Sequence, residues 1–136
     1  ARLKAAWPPS ARNAECLLHG DYWSGNLLWH GDELVAIIDW EDARTGDPLL
    51  DLAIARLDVV WLLGPDAMRA FTEQYAARTQ LDWTQLAFWD LYAALRPGTD
   101  LSHWASVWSP VGRPDITEQT MQEGRQWFAQ QALSLL

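Results

Sequence analysis

The sequence predicts an α+β fold that is mainly α, with a small β-hairpin region followed by four or five helices. Two observations support this prediction. Short apolar runs, rich in β-branched residues at 34–38, occur only within the first forty residues. From residue 49 onward, apolar residues recur at helical spacing and are interrupted by Gly and Pro. The chain has 136 residues, of which 49% are hydrophobic, and this fits one domain with its own core.

Three short apolar runs are predicted to form the strands, at residues 16–18, 27–30 and 34–38. The Gly31-Asp32 pair stands between the second and third runs and is typical of a tight hairpin turn. We therefore expect a strand, a loop and a hairpin in which residues 27–30 pair with 34–38.

The helices are predicted from their periodicity and their end signals. Residues 49–63 are apolar on almost all sides, which is typical of a helix buried on most faces, and Pro48 precedes them. A second helix is expected over 66–79. Capping-box patterns predict two more helix starts, and a short helix is expected around Leu101, Trp104 and Trp108. The two patterns are Asp82 with Gln85 and Asp115 with Glu118, and the last helix is expected to carry Met121, Phe128 and Leu135 on one face.

Charge and cysteine content narrow the classes of partner. The formal net charge of −8 disfavours nucleic acid and anionic membranes and favours cationic or metal-bridged ligands. Cys16 is the single cysteine and lies in an apolar run, so we expect a packed thiol in a reducing compartment. No apolar stretch is long enough to cross a membrane. A cytoplasmic protein is the expectation.

One stretch combines the side chains that phosphoryl transfer requires. Such transfer needs a carboxylate to take the proton of the attacking hydroxyl, and oxygen ligands for magnesium. Asp21 and Asn26 flank a loop that contains Gly25, and the hairpin would bring Asp39 back alongside. We expect these three side chains to share one cavity.

Four motifs follow one another along residues 17–53. They are His19-Gly20-Asp21 with Asn26, Ile38-Asp39-Trp40-Glu41, Gly46-Asp47-Pro48, and Asp51-Leu52-Ala53. In this order they closely resemble the aminoglycoside phosphotransferase and choline kinase-like family, whose members are relatives of the protein kinases. The close resemblance covers residues 17–53, and the helical remainder agrees only in kind.

The resemblance implies the C-terminal lobe of a protein kinase-like fold and a role for each matching residue. Asp21 would be the catalytic base, and Asn26 and Asp39 would bind Mg²⁺ and, through it, ATP or another nucleoside triphosphate. Asp51 would brace the catalytic loop through backbone amides. Position 20 is Gly where protein kinases have Arg, so the implied acceptor is a small-molecule hydroxyl, such as that of an amino-sugar or amino-alcohol.

The resemblance also implies a nucleotide-clamping lysine on a strand of an N-terminal lobe. The chain has one lysine, Lys4, which lies outside any strand-like run. We therefore expect residues 1–136 to form a single C-terminal lobe, with 1–15 as a connector, 16–48 as catalytic loop and hairpin, and 49–136 as helical subdomain. This lobe by itself would bind nucleotide weakly, have negligible activity and self-associate through the apolar surface that the missing lobe would cover.

Several of these residues also have a simpler structural interpretation. The second His-Gly-Asp, at 30–32, has no Asn five residues after its Asp and is interpreted as hairpin-turn chemistry. His19 follows an apolar strand and lacks a second ligand at metal spacing, so we expect a buried structural histidine. For two further groups a functional and a structural interpretation both stay open. Glu41, Asp42 and Asp47 could contact a substrate or form a solvated acidic loop. Trp104 and Trp108 could form the wall of a substrate pocket or belong to the core.

A second function class stays open beside the kinase. The chain would then be a non-catalytic ligand-binding or interaction module that retains the kinase-like lobe. The presence or absence of an upstream lobe in the gene would discriminate between the two.

Overall fold

The computed structural model describes Pro9 and residues 11–136. Over these residues the protein is α+β and mainly helical, as predicted, and most of the predicted connector, including Lys4, lies outside them. None of the described helices is both long and apolar enough to cross a membrane. The strands are β1 Cys16–Leu18, β2 Leu27–His30, β3 Glu33–Ile37 and β4 Arg44–Gly46, and the α-helices are α1 Leu49–Leu63, α2 Pro65–Ala76, α3 Leu86–Leu95, α4 Ser102–Ser106 and α5 Glu118–Leu133.

The strands form two small antiparallel pairs. β2 and β3 form the predicted hairpin, with Leu27 opposite Ile37 and a register irregularity between Leu28 and Trp29. Gly31 has a φ of 60° in the turn, a conformation that glycine adopts without strain. β1 pairs with β4. The sequence did not predict β4, because Arg44–Gly46 carries no apolar signal and is a strand only through its backbone bonds to β1.

Helix α1 is the centre of the core. Most of its residues are buried, and it packs against α2, α3 and α5. At its start the Asp47 carboxylate accepts a hydrogen bond from the Leu49 amide at 2.9 Å, and at its end Gly64 has a φ of 86°. The buried cluster around α1 also includes Leu18 from β1, so the core reaches the strand that precedes the predicted catalytic loop.

A buried ion pair joins three of the helices. The Arg56 guanidinium of α1 donates two hydrogen bonds of 3.0 Å to the Asp90 carboxylate of α3, and Gln131 of α5 donates to the same carboxylate at 3.0 Å. Burial raises the pKa of Asp90, and the charge and hydrogen bonds of Arg56 oppose that rise. The charge is thus compensated inside the core, which fixes the relative position of the helices.

Both predicted capping boxes are wrong. Asp82 accepts hydrogen bonds from the amide and hydroxyl of Thr84, a local turn that precedes α3. Asp115 pairs with Arg113 at 2.8 Å. The capping box at the start of α5 is formed instead between Thr117 and Thr120, two residues further along.

Two predictions about buried apolar residues are also wrong. Cys16 is exposed, because only Leu18 of the short strand β1 faces the core. Leu135 is 73% exposed, because α5 ends at Leu133 and the chain beyond it does not return to the core. Met121 and Phe128 are buried, as expected of that helix face.

Candidate functional site

The loop between β1 and β2 brings Asp21 and Asn26 into direct contact. A short 3-10 helix, Ser24–Asn26, ends this loop and buries the Asn26 side chain. The Asn26 amide nitrogen donates to the Asp21 carbonyl at 3.0 Å and to its carboxylate at 3.3 Å. Since both partners are acceptors, the nitrogen must face Asp21. The Asn26 side-chain oxygen is left to face another group, and no described residue donates a hydrogen bond to it.

Asp51 holds the start of this loop. Its two carboxylate oxygens accept the backbone amides of His19 at 2.6 Å and of Gly20 at 2.9 Å. Gly20 has a φ of 84°, and a Cβ there would lie 2.3 Å from the carbonyl oxygen of Asp42. Only glycine fits at this position, where the loop crosses close to the segment after β3.

His19 and Asn26 together fix the backbone just before Asp39. His19 is buried, and its Nε2–H donates to the Ile38 carbonyl at 2.8 Å while its Nδ1 accepts the Asp21 amide at 3.3 Å. The Ile38 amide donates to the Asn26 carbonyl at 3.0 Å. Ile38 is therefore held on both sides, and this connects the end of the hairpin to the Asp21 loop.

Asp39, the residue after Ile38, has an unusual backbone conformation. It has a φ of 66°, the only positive φ among the described residues that are not glycine. The left-handed region is costly for most side chains but is tolerated by Asp. The Asp39 side chain is exposed. Beside it, the Trp40 ring packs 4.6 Å from the His19 ring and donates its Nε1–H to the Ile37 carbonyl at 2.8 Å.

Asn26 and Asp39 each carry oxygen atoms of the kind that magnesium prefers as ligands. Magnesium is usually held through one or two carboxylates and completes its six ligands with waters and substrate phosphates. Within the described part of the chain, His, Cys, Asp and Glu side chains form no group of three or more that could hold a metal ion. The donor chemistry thus fits a metal held partly by phosphate oxygens.

Arg96 is a site residue that the sequence analysis missed. Its guanidinium lies 2.7 Å from Asp21 Oδ1 as an ion pair without hydrogen-bond geometry, and 3.4 Å from the carboxylate of Asp42. Arg96 stands at the C-terminal end of α3, where the Arg96-Pro97-Gly98 sequence signals only a helix end. Nothing in its local sequence indicates that the fold places it beside Asp21.

The three acidic residues considered as substrate contacts have different surroundings. Asp47 accepts hydrogen bonds from the side chain of Asn13 at 3.1 and 3.3 Å, besides the Leu49 amide at the start of α1. Asp42 is half exposed and pairs with Arg96. Glu41 is exposed. Their contact with a substrate stays a prediction, and Asp47 has a clear structural task.

A cavity of about 150 Å³ adjoins Asp21. Its walls include tryptophans from three parts of the chain, together with the carboxylates of Asp21 and Asp58. Trp108 is 8% exposed and belongs to a second buried cluster with Leu101. Trp108 is therefore part of the core, Trp104 packs against it, and both rings line the cavity, while their contact with a substrate stays a prediction. The tryptophans that line the cavity are Trp23, Trp61, Trp104 and Trp108.

Asp58 is the second residue that the sequence analysis missed. It lies in the middle of α1, is 6% exposed and accepts the Ser24 amide at 3.1 Å. Burial raises the pKa of its carboxyl to about 6, the Ser24 hydrogen bonds oppose this rise, and the negative charge of Asp21 adds to it. Asp58 in the apolar run 49–63 was a possible signal, since a buried helix rarely carries an unpaired carboxylate.

Known phosphotransferases match a large part of this chain. The family described as "Phosphotransferase enzyme family" (APH) matches residues 1–89. N-acetylmuramate/N-acetylglucosamine kinase from Caulobacter vibrioides is 33% identical over 124 residues, which cover 84% of this chain and 34% of that protein. Thiamine kinase from Escherichia coli is 36% identical over 76 residues, which cover 53% of this chain and 26% of that protein.

A third relative shares a shorter segment. Acyl-CoA dehydrogenase family member 11 from Rattus norvegicus is 42% identical over 55 residues, which cover 39% of this chain and 7% of that protein. The chain thus spans about a third or less of these relatives. No solved structure matches the chain. Because the family match extends over well over half of its residues, the chain belongs to the phosphotransferase enzyme family.

Proposed function

We propose that the chain is the C-terminal catalytic lobe of a small-molecule kinase with a protein kinase-like fold. In this proposal the kinase transfers the γ-phosphate of ATP, or of another nucleoside triphosphate, to a substrate hydroxyl. The observation that carries the proposal is the contact of Asp21 with Asn26 in a loop braced by Asp51. The family to which the chain belongs supports it.

Asp21 is the proposed catalytic base. Its carboxylate borders the cavity, where an acceptor hydroxyl could lie within hydrogen-bond reach. As the hydroxyl oxygen forms its bond to the γ-phosphorus, its proton moves to Asp21 and the bond from the γ-phosphorus to the bridging oxygen of the diphosphate breaks. The Asn26 amide keeps the carboxylate oriented during this step, because its nitrogen donates to Asp21.

Asn26 and Asp39 are the proposed magnesium ligands. Asn26 would offer its side-chain oxygen, because the amide nitrogen is engaged by Asp21, and Asp39 would offer its exposed carboxylate. The bound ion would neutralise charge on the transferring phosphates. His19 contributes by holding Ile38, the residue that precedes Asp39.

The nucleotide clamp is proposed to lie on an N-terminal lobe that packs on the hairpin. The hairpin exposes several large apolar side chains, and such clusters on a protein surface mark interaction sites. Without that lobe, residues 1–136 would bind Mg²⁺-ATP weakly and would self-associate. A single monomeric species at high concentration in analytical ultracentrifugation would contradict the self-association. The exposed side chains are Leu28, Trp29, Leu34 and Val35, at 41% to 58% exposure.

The direct test is product identification with the protein as its gene encodes it. The protein is incubated with Mg²⁺-ATP and a panel of amino-sugars, amino-alcohols and neutral sugars, and phosphate esters are identified by ³¹P NMR. We expect a phosphate monoester of at least one alcohol. If no panel member is phosphorylated and ligands still bind in the cavity, the non-catalytic binding module becomes the better account.

A further inference from the structure

We propose that Asp58 is a second brace of the loop between β1 and β2 and a positioning residue for Asn26. By accepting the Ser24 amide, its carboxylate fixes the 3-10 helix Ser24–Asn26 against α1. The statement that Asn26 acts on magnesium and on a catalytic Asp21 rests on the proposed function. The brace itself rests on hydrogen bonds and burial.

The 3-10 helix begins with an amide that its own N-cap residue cannot bond. The first amides of a helix have no partner inside it and are commonly bonded by a side chain at the N-cap. Here the N-cap residue is Trp23, whose indole has a donor but no acceptor. Asp58, 34 positions beyond Ser24, accepts the Ser24 amide at 3.1 Å. The acceptor for this helix start is therefore supplied by another element, α1.

Asp51 and Asp58 lie on the same face of α1. They are seven positions apart, which is close to two helical turns and places them about 10 Å apart along the helix axis. Asp51 accepts two backbone amides at the start of the loop, and Asp58 accepts the Ser24 amide near its end. One buried helix therefore holds the loop at both of its ends.

The position of Asn26 depends on the 3-10 helix. Its amide donates to the Trp23 carbonyl at 3.1 Å, so the last residue of this helix is bonded to the residue before the first. Its carbonyl accepts the Ile38 amide, and its side chain donates to Asp21. A displacement of Ser24 would therefore displace Asn26, and with it the orientation of Asp21.

The carboxylate of Asp58 is energetically unfavourable where it lies. It is 6% exposed, and it forms no ion pair with any other described residue. A buried charge without a cation destabilises a fold, and an uncharged side chain of similar shape avoids this cost. Ser24 itself is exposed, so water can bond its amide if Asp58 is replaced. The order of the loop and the stability of the whole fold should therefore respond differently to substitutions of Asp58.

Two substitutions of similar shape test whether the Ser24 amide needs an oxygen at position 58. Asp58→Asn retains a carbonyl oxygen, and Asp58→Leu has no acceptor. Hydrogen exchange is followed by mass spectrometry in the protein as its gene encodes it, without nucleotide or acceptor, so contacts with either cannot produce the result. In Asp58→Leu we expect a peptide over residues 20–28 to exchange at least about tenfold faster, with peptides from α3 and α5 no faster than in the wild type. Asp58→Asn should exchange as the wild type does.

Kinetics provide the second readout. Because Asn26 is positioned through Ser24, Asp58→Leu should lower kcat about tenfold and raise the Mg²⁺ concentration that gives half of the maximal rate. Asp58→Asn should retain most of kcat. Asp66→Asn, at an exposed surface position, is the control and should change neither exchange nor kcat.

A third variant, Asp58→Ala, also lacks an acceptor and keeps the proposal testable if Asp58→Leu does not fold. Unchanged exchange of the loop in a folded variant without an acceptor would overturn the proposal. Faster exchange throughout the protein would also overturn it, because it would indicate a general loss of stability. The two proposals fail separately: loop exchange that depends on an oxygen at position 58, without phosphate transfer, would contradict only the proposed function. A kinase whose loop exchange and Mg²⁺ dependence do not change in Asp58→Leu would contradict only this inference.

Discussion

The Arg96 guanidinium lies 2.7 Å from the Asp21 carboxylate and joins residues 75 positions apart in the sequence. The same guanidinium reaches Asp42 at 3.4 Å, so one arginine at the end of α3 contacts both the proposed catalytic loop and the acidic segment after β3. Both side chains of the closer pair are only about one-fifth exposed. Arg96 therefore offsets the charge of Asp21 and restricts where its carboxylate can point.

Replacing Arg96 tests whether this ion pair positions Asp21. In Arg96→Ala we expect kcat to fall about ten- to a hundredfold, because a misplaced catalytic group costs rate. The Arg96→Lys variant should recover part of kcat, since lysine retains the charge but cannot reach both carboxylates as a planar fork does. The measurement is steady-state kinetics of the kinase reaction.

The control for Arg96 is Arg78→Ala, because Arg78 is exposed and, among the described residues, its side chain donates only to Gln74. It should leave kcat unchanged. A normal kcat in Arg96→Ala, with a normal free energy of unfolding, would show that Asp21 is positioned without the arginine.

Asp51 is expected to matter for stability as well as for activity. Asp51→Ala leaves the amides of His19 and Gly20 without their carboxylate acceptor, and we expect a loss of about 2–4 kcal/mol in the free energy of unfolding. Urea denaturation measures this loss. Asp66→Ala, at an exposed position, should change stability by less than about 0.5 kcal/mol. If both variants lose equally little, Asp51 does not brace the loop.

Because the Asp58 carboxyl is buried, we expect the free energy of unfolding to depend on pH. The pKa of its carboxyl is about 6 in the folded protein, against an ordinary value of 3.8 that we take for the unfolded chain. Between these two pH values the folded state therefore binds more protons than the unfolded state. Stability from this group is therefore greatest below pH 3.8 and is lost as the pH rises through about 6. The loss amounts to about 3 kcal/mol at neutral pH, from about 1.4 kcal/mol per unit of pKa.

The variant Asp58→Asn removes this titration. Relative to the wild type, it should gain stability steadily as the pH rises from acidic to neutral, because only the wild type must ionise a buried carboxyl. Asp90 titrates in both proteins and cancels from the difference. Urea denaturation at several pH values tests this, and parallel curves for the two proteins would show that Asp58 does not titrate as proposed.

The elements that were predicted correctly have strong local signals. Helix α1 follows from a long run that is apolar on almost all sides, and the hairpin follows from Gly31-Asp32 between two apolar runs. The capping boxes were wrong because Asp82 and Asp115 each had a closer partner two residues away. A side chain that bonds to a partner two residues away is no longer free to cap the start of the helix.

The site was only partly predictable for a different reason. Asp21, Asn26 and Asp39 stand in a recognisable order within nineteen residues of sequence. Arg96 and Asp58 reach the site only because α3 and α1 pack on each other and below the loop, which local sequence does not encode. The cavity likewise combines tryptophans from the loop, from α1, from α4 and from the segment that follows α4.

The chain contains its own control for the central claim, since His-Gly-Asp occurs at both 19–21 and 30–32. The measurement is turnover of Asp21→Asn and Asp32→Asn in the protein as its gene encodes it, with Mg²⁺-ATP and the alcohol identified as acceptor. Our account predicts that Asp21→Asn lowers kcat by at least about a hundredfold with the fold intact. Asp32→Asn, in the hairpin turn, should retain normal kcat. Near-normal turnover by a folded Asp21→Asn protein would contradict the assignment of Asp21 as the catalytic base.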